Sequence, residues 1–157
     1  MRYWRQRTPL GDLTVLMGDS GIVRLALPGV TVSPLDAHPE RDEDVAAQLN
    51  EYFTGRRREF TVPVDLSGSD GFRRDVLETL CRDVSYGEIV TYGELAEMAG
   101  RPRAARAVGT AMTGCPVSIV IPCHRVVAAG GVGGYGGGAS GVALKRALLA
   151  LEGVHLP

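Results

Sequence analysis

The chain's strongest nucleophile type is cysteine, and one of its three cysteines, Cys123, stands in the run Ile121-Pro122-Cys123-His124-Arg125-Val126. A free thiol has a pKa near about 8.5, so only a few per cent is thiolate at neutral pH. A working thiol therefore needs an adjacent base or a positive field, and His124 and Arg125 follow directly. Pro122 removes a backbone donor and stiffens the approach. Cysteine beside histidine at the mouth of a strand is a nucleophile pattern. By itself the dipeptide more often marks an inert buried cysteine, because free cysteine is among the most buried residue types and strand neighbours point to opposite faces. Glu152 is a second candidate. It ends the last helical pattern, where the helix dipole disfavours a carboxylate by some tenths of a kcal/mol. A residue set against local preference can serve another group, such as a histidine it orients. An exposed charge near the chain end is the plainer reading.

The elements that must position these groups fall into two stretches. Arg2–Thr8, Leu13–Met17 and Ile22–Leu27 are short β-rich runs separated by Pro9-Leu10-Gly11-Asp12 and Gly18-Asp19-Ser20-Gly21, so a hairpin or meander is expected. A Pro-rich loop follows from Pro28 to Pro39. Asp42–Phe53 has helical spacing, with Val45, Leu49, Tyr52 and Phe53 on one face. Phe60–Val64 suggests a last strand. Leu66-Ser67-Gly68-Ser69-Asp70-Gly71 is the expected boundary, giving domains 1–68 and 69–157.

Beyond it the pattern is mainly helical. Phe72, Val76, Leu77 and Leu80 define one amphipathic helix, closed by Tyr86-Gly87. Thr91-Tyr92-Gly93-Glu94 is a capping-box pattern, opening a short helix that stops at Gly100. Pro102 suits the first turn of another, Arg103–Met112. Two short helices joined this way predict a helix-turn-helix. The second carries Ala104, Ala105 and Ala107 with Arg103 and Arg106, which suits close approach and phosphate contact, or a tightly packed internal helix. Val117–Ile121 reads as a buried strand leading into Cys123. A glycine-dense loop runs from Gly130 to Gly141, and a final helix over Val142–Leu151. The expected fold is α/β, with a small N-terminal sheet and helix and a mainly helical C-terminal domain.

Composition bounds the function. The 157 residues carry a net charge of −1, with 45% hydrophobic and 22% charged residues, values of an ordinary globular chain. No acidic residue lies between Glu97 and Glu152, while Arg101, Arg103, Arg106, Arg125, Lys145 and Arg146 fall there. Such a local basic stretch can bind phosphates whatever the global charge, or it can be a solvated helix face. No run is apolar enough for a membrane span or signal peptide, so a cytoplasmic protein is expected. The three cysteines, Cys81, Cys115 and Cys123, argue against a disulfide framework. No metal site is expected, because there is no Cys-x-x-Cys pair and His38, His124 and His155 are scattered.

Five segments occur in order: Tyr86-Gly87-Glu88, Thr91-Tyr92-Gly93-Glu94, Ala104-Ala105-Arg106-Ala107-Val108-Gly109, Ile121-Pro122-Cys123-His124-Arg125-Val126 and Gly134-Tyr135-Gly136-Gly137. Together they resemble the O6-alkylguanine-DNA alkyltransferase family, densely over residues 70–153 and in general character over the first 65. The resemblance implies irreversible transfer of one alkyl group from O6-alkylguanine, or O4-alkylthymine, in duplex DNA to Cys123. His124 would act as base through a water, Glu152 would orient it, and Tyr92 would protonate the leaving base. Arg106 would enter the base stack from the minor groove as the damaged nucleotide flips out. Arg101, Arg103, Ala104, Ala105, Gly93, Arg73 and Lys145 would meet DNA; Val126, Tyr135, Gly136 and Met112 would line the pocket. No cofactor is implied, and the protein would be a cytoplasmic monomer, on the nucleoid when DNA-bound. The alternatives are a non-enzymatic lesion binder, which in such relatives carries tryptophan at the nucleophile position, and a plain helix-turn-helix protein. A turnover thiol hydrolase has no use for the basic stretch.

The sequence departs from the family pattern in places. Cys115 replaces the usual asparagine at the turn before the cysteine segment, where a thiol hydrogen-bonds only weakly. A second thiol near Cys123 is also open to oxidation with it. Leu77 stands at a frequent tryptophan position. The path from Cys123 to Tyr135 is one residue short, and that from Tyr135 to Lys145 a few long. The zinc ligands of some relatives are absent.

Overall fold

The computed structural model describes residues 1–33, 36–135 and 138–157. Among these residues the fold is mixed α/β, with a four-stranded sheet, a two-stranded sheet and five α-helices. It divides into two compact units, Met1–Gly68 with Pro116–Val120, and Ser69–Cys115 with Ile121–Pro157. The expected division at residue 68 thus misses a short excursion, in which 116–120 belongs with the N-terminal residues.

In the first unit β1 (Arg2–Thr8), β2 (Gly11–Gly18) and β3 (Gly21–Ala26) form an antiparallel meander in the order β3-β2-β1. The two-residue links Pro9-Leu10 and Asp19-Ser20 fix its register, pairing Thr8 with Gly11 and Gly18 with Gly21. Alternate side chains of β2, Leu13, Val15 and Met17, are buried, as period-2 patterning requires. A two-residue strand inside the Pro-rich loop, β4 (His38–Pro39), pairs parallel to β1. Helix α1 (Glu43–Phe53) is capped by Asp42, whose carboxylate accepts from Val45 N at 3.0 Å. Gln6 on β1 donates to Asn50 on α1 at 3.0 Å and accepts from the Trp4 indole at 3.1 Å, so this buried polar residue is satisfied.

The expected strands Phe60–Val64 and Val117–Ile121 are single bridges instead, Val64 to Ile22 and Val117 to Leu25. Pro63 supplies only a carbonyl, which accepts from Ile22 N at 2.9 Å. In the later segment Ile119 has φ +74°, a left-handed conformation that ends any strand and is uncommon for a β-branched residue. The hydrophobic run is buried, but its backbone turns.

The second unit holds α2 (Gly71–Asp83), β5 (Val90–Thr91), α3 (Tyr92–Met98), α4 (Ala105–Thr113), β6 (Val126–Val127) and α5 (Gly138–Leu151). Strands β5 and β6 pair parallel, Val90 with Val126 and Thr91 with Val127. Thr91 ends β5 and caps α3: Glu94 N donates to its hydroxyl at 3.1 Å, and its own N–H donates to Glu94 Oε1 at 2.9 Å. This reciprocal box fixes Tyr92 at the first helical position. Gly100, at φ +75°, takes the left-handed conformation that stops α3. Helix α4 starts at Ala105, later than expected, because Pro102 and Arg103 lie in a turn. Helix α5 starts at Gly138, inside the expected loop. Val127, Val132 and Leu149 form an apolar cluster with Val142, Val154 and Leu156. No helix among the described residues is long and apolar enough to cross a membrane.

Loss of the Thr91 hydroxyl removes one bond of the box. Thr91→Ala is expected to lower stability by about 1 kcal/mol in urea unfolding, with Thr91→Ser close to the parent protein. Equal losses in both variants would show that the cap contributes nothing.

Candidate functional site

Cys123, His124 and Arg125 form one 3-10 turn running into β6, not the end of a strand. Pro122 precedes it at φ −80°, ψ 56°, and Cys123 N donates to Ile121 O at 2.8 Å. The tight turn replaces the strand alternation that would point Cys123 and His124 to opposite faces. Cys123 is 1% exposed, His124 0% and Glu152 5%.

Glu152 follows the last residue of α5 and is buried, not a surface charge. Its Oε2 lies 2.6 Å from His124 Nε2. Arg125 donates from Nε to Oε1 at 2.8 Å and from Nη2 to Oε2 at 3.2 Å, and Gly87 N donates to Oε1 at 3.3 Å. The third guanidinium nitrogen, Nη1, donates to Val84 O at 2.9 Å. A bidentate guanidinium keeps the buried carboxylate charged. The charged carboxylate accepts the proton of His124 Nε2, which leaves the Nδ1 lone pair available as a base. Nδ1 is buried and has no hydrogen-bond partner among the described residues. Burial holds the His124 pKa below its usual value, against the raising effect of Glu152, with Arg125 and Lys145 lowering it further. The imidazole is therefore neutral at neutral pH, the form a base requires.

Two further candidates, Val126 and Tyr92, lie against a third, Lys145. Its side chain is 1% exposed, and the ammonium donates to Val126 O at 2.5 Å and Gly134 O at 3.2 Å. Burial pushes its pKa down to about 8. This corrects the expectation that Lys145 meets DNA: an ammonium enclosed by carbonyls inside the unit cannot reach a backbone phosphate. It also lies 5.8 Å from the centre of the Tyr92 ring. A Cβ on Gly133 would come within 2.5 Å of the Tyr92 hydroxyl and 3.2 Å of Ala128 N, and Gly133 has φ +75°, so only glycine leaves that hydroxyl its place. Val126 and Tyr135 are buried, as is Met112 on α4. Gly136 lies outside the described residues.

Arg101, Arg103 and Arg106 are exposed around the α3–α4 connection, with Ala104, Ala105 and Gly93 half-buried. Arg101 pairs loosely with Asp75 at 3.9 Å. Arg73 is half-buried, its guanidinium lying over Gly114, where a Cβ would come within 2.9 Å of Nη2. The acid-free stretch thus contributes a smaller surface patch than its charge count, because Arg125 and Lys145 turn inward. Sequence reasoning counted Arg125 as patch and gave Gly133 no role. The signal for Arg125 was its place next to Cys123 and His124, where a guanidinium can serve a buried acid.

The Cys123 sulfur is bonded to that of Cys115, against the expectation drawn from cysteine usage; the two Cα atoms are 6.9 Å apart. Cys115 follows Gly114, the residue capping α4. Among the described residues no cluster of three His, Cys, Asp or Glu is placed to hold a metal.

The neutral state of His124 is open to direct measurement. In an NMR titration its midpoint should lie below 6.5, because burial disfavours the imidazolium more than Glu152 favours it. A midpoint above 6.5 would mean that the carboxylate dominates and that the resting residue is an acid.

Comparison with known proteins gives a consistent result. A family model described as "6-O-methylguanine DNA methyltransferase, DNA binding domain" matches residues 71–154, and the same family's "ribonuclease-like domain" matches residues 1–66. The methylated-DNA–protein-cysteine methyltransferase of Mycobacterium bovis is 41% identical over 96% of this chain and 91% of its own length. The human protein of that name is 41% identical over 95% of this chain and 79% of its own. Among solved structures, Mycobacterium tuberculosis OGT in complex with DNA superposes with a TM-score of 0.88 at 40% identity, covering 97% of this chain and 92% of that one. The enzyme from Pyrococcus kodakaraensis gives 0.72 at 28%, covering 98% and 99%. With both models matched and identities of this order across almost its whole length, the chain belongs to the 6-O-methylguanine DNA methyltransferase family.

Proposed function

We propose that this protein repairs alkylated DNA by direct reversal, moving one methyl or alkyl group from O6-alkylguanine to Cys123 and ending its working life there. The observation that carries the reading is the buried chain Arg125–Glu152–His124 beside Cys123, with the His124 Nδ1 lone pair turned to no protein group among the described residues. A nucleophile that needs a base has one next to it, and a water between them would complete the path for the proton.

The steps follow from that arrangement. Helices α3 and α4 act as a helix-turn-helix on the minor groove, where Ala104 and Ala105 permit close approach and Arg101 and Arg103 meet phosphates. Arg106 fills the stack left by the flipped nucleotide, since the alkylated oxygen cannot reach a protein pocket inside the duplex. Val126, Tyr135 and Met112 line the pocket. His124 takes the Cys123 proton through the water, and the imidazolium that forms is stabilised by Glu152, itself held by Arg125. The thiolate attacks the alkyl carbon, a C–S bond forms and the C–O bond breaks. Tyr92 gives its proton to the guanine as negative charge develops on the ring. The thioether resists hydrolysis, so no second turnover follows. The N-terminal unit supports this domain, and the protein works as a cytoplasmic monomer.

The test is intact mass after mixing reduced protein with a duplex carrying one O6-methylguanine, alongside Cys123→Ser. The expected result is a gain of one methyl per molecule and no more, absent in the variant. Tight binding to the lesion with no mass gain would replace the enzyme by a lesion-binding protein.

A further inference from the structure

Cys115 has no part in the alkyl-transfer steps, yet it holds the sulfur on which they depend. We infer that Cys115 is a resolving thiol, and that its reversible disulfide with Cys123, formed under hydroperoxides, switches the protein off and protects its nucleophile. This rests on the functional reading above and adds regulation to the same site.

Three features of the second unit support it. First, the two sulfurs are bonded in this fold, across eight residues of chain. Second, the groups that activate Cys123 for alkyl transfer also expose it to oxidants. The thiolate formed when the neighbouring His124 takes the Cys123 proton is the form that hydroperoxides oxidise. Third, Cys115 is half-buried whereas Cys123 is 1% exposed, so the pair has one member within reach of solvent and of a reducing dithiol. The remaining cysteine, Cys81, lies on α2 and is free.

The balance is simple. A hydroperoxide ROOH transfers its terminal oxygen to one thiol, giving a sulfenic acid and ROH. The second thiol attacks that sulfur, the disulfide forms, and the oxygen leaves as water. In sum two thiols and ROOH give a disulfide, ROH and water. A dithiol reverses it by exchange, becoming a cyclic disulfide itself. Without Cys115 the sulfenic acid of Cys123 has no partner and can proceed to sulfinic acid, which thiols do not reduce. The disulfide does two things at once. It occupies the sulfur that must attack, and it ties the nucleophile's turn to the end of α4, the helix carrying Arg106. For a protein used only once, irreversible oxidation before use is a complete loss, and a reversible cross-link prevents it.

The experiment uses the full-length protein, reduced, desalted and exposed to hydrogen peroxide. Three readouts are taken: peptide mapping of the cross-link, labelling of Cys123 by iodoacetamide, and methyl transfer from O6-methylguanine duplex before and after dithiol treatment. The expected result is a Cys115–Cys123 linked peptide with a mass loss of two hydrogens and Cys81 still alkylatable. Labelling and methyl transfer should be abolished, and both should return fully with dithiol. Cys115→Ser, with Cys115→Ala as a second variant should the first fold poorly, is expected to lose activity to peroxide without recovery. Absence of the linked peptide, a bond to Cys81 instead, or recovery in the Cys115 variants equal to wild type would overturn the inference. If the reduced protein transfers no methyl group, the functional reading fails. The cross-link and its control of Cys123 labelling are still decided by the other two readouts.

Discussion

The buried carboxylate of Glu152 is the point on which the site turns. It accepts from Arg125 through two nitrogens and from Gly87, and it fixes the His124 tautomer. The helix dipole at the end of α5 opposes a carboxylate there by some tenths of a kcal/mol. Removing one partner of a buried charged pair costs about 3–5 kcal/mol, so the guanidinium decides the matter by a wide margin. The pair is no proof of a more stable fold, since two apolar residues can pack as well. What it supplies is a base held in one tautomer at a fixed place.

The rest of the second unit is arranged to keep that place. The 3-10 turn brings Cys123, His124 and Arg125 together over three residues. The two-residue pairing of β5 with β6 sets Thr91 beside Val127, and the box at Thr91 then fixes Tyr92 at the start of α3. Lys145 reaches from α5 to the carbonyls of Val126 and Gly134, joining the strand after the nucleophile to the glycine segment before Tyr135. Each contact is small, and their common effect is to hold the reacting groups in place.

How much of this was legible follows from what each signal measures. Period-2 and turn patterns placed β1, β2 and β3, because a meander with two-residue links is decided locally. Thr91 and Glu94 announced a helix start for the same reason. Val117–Ile121 misled because burial and strand content were read from one hydrophobic run, while Ile119 turns the backbone. Cys123 and His124 stood out as neighbours, and Glu152 only as a charge set against a dipole. Arg125 and Lys145 were counted as surface cations. Whether a cation faces water or a buried acceptor depends on residues distant in sequence: Glu152 for the first, the carbonyls of Val126 and Gly134 for the second. The Cys115–Cys123 bond was hidden likewise, since cysteine usage describes a chain's surroundings and not the distance between two particular sulfurs.

The central claim is that Glu152 acts on the reaction only through His124. A double-mutant cycle measures this directly, using single-turnover methyl transfer by reduced wild type, His124→Asn, Glu152→Gln and the double variant, each checked for folding by circular dichroism. Each single change should slow transfer by about 100-fold or more, the usual contribution of a positioned base, and the double variant should be no slower than His124→Asn. Multiplication of the two losses in the double variant would show that Glu152 serves the reaction by another route.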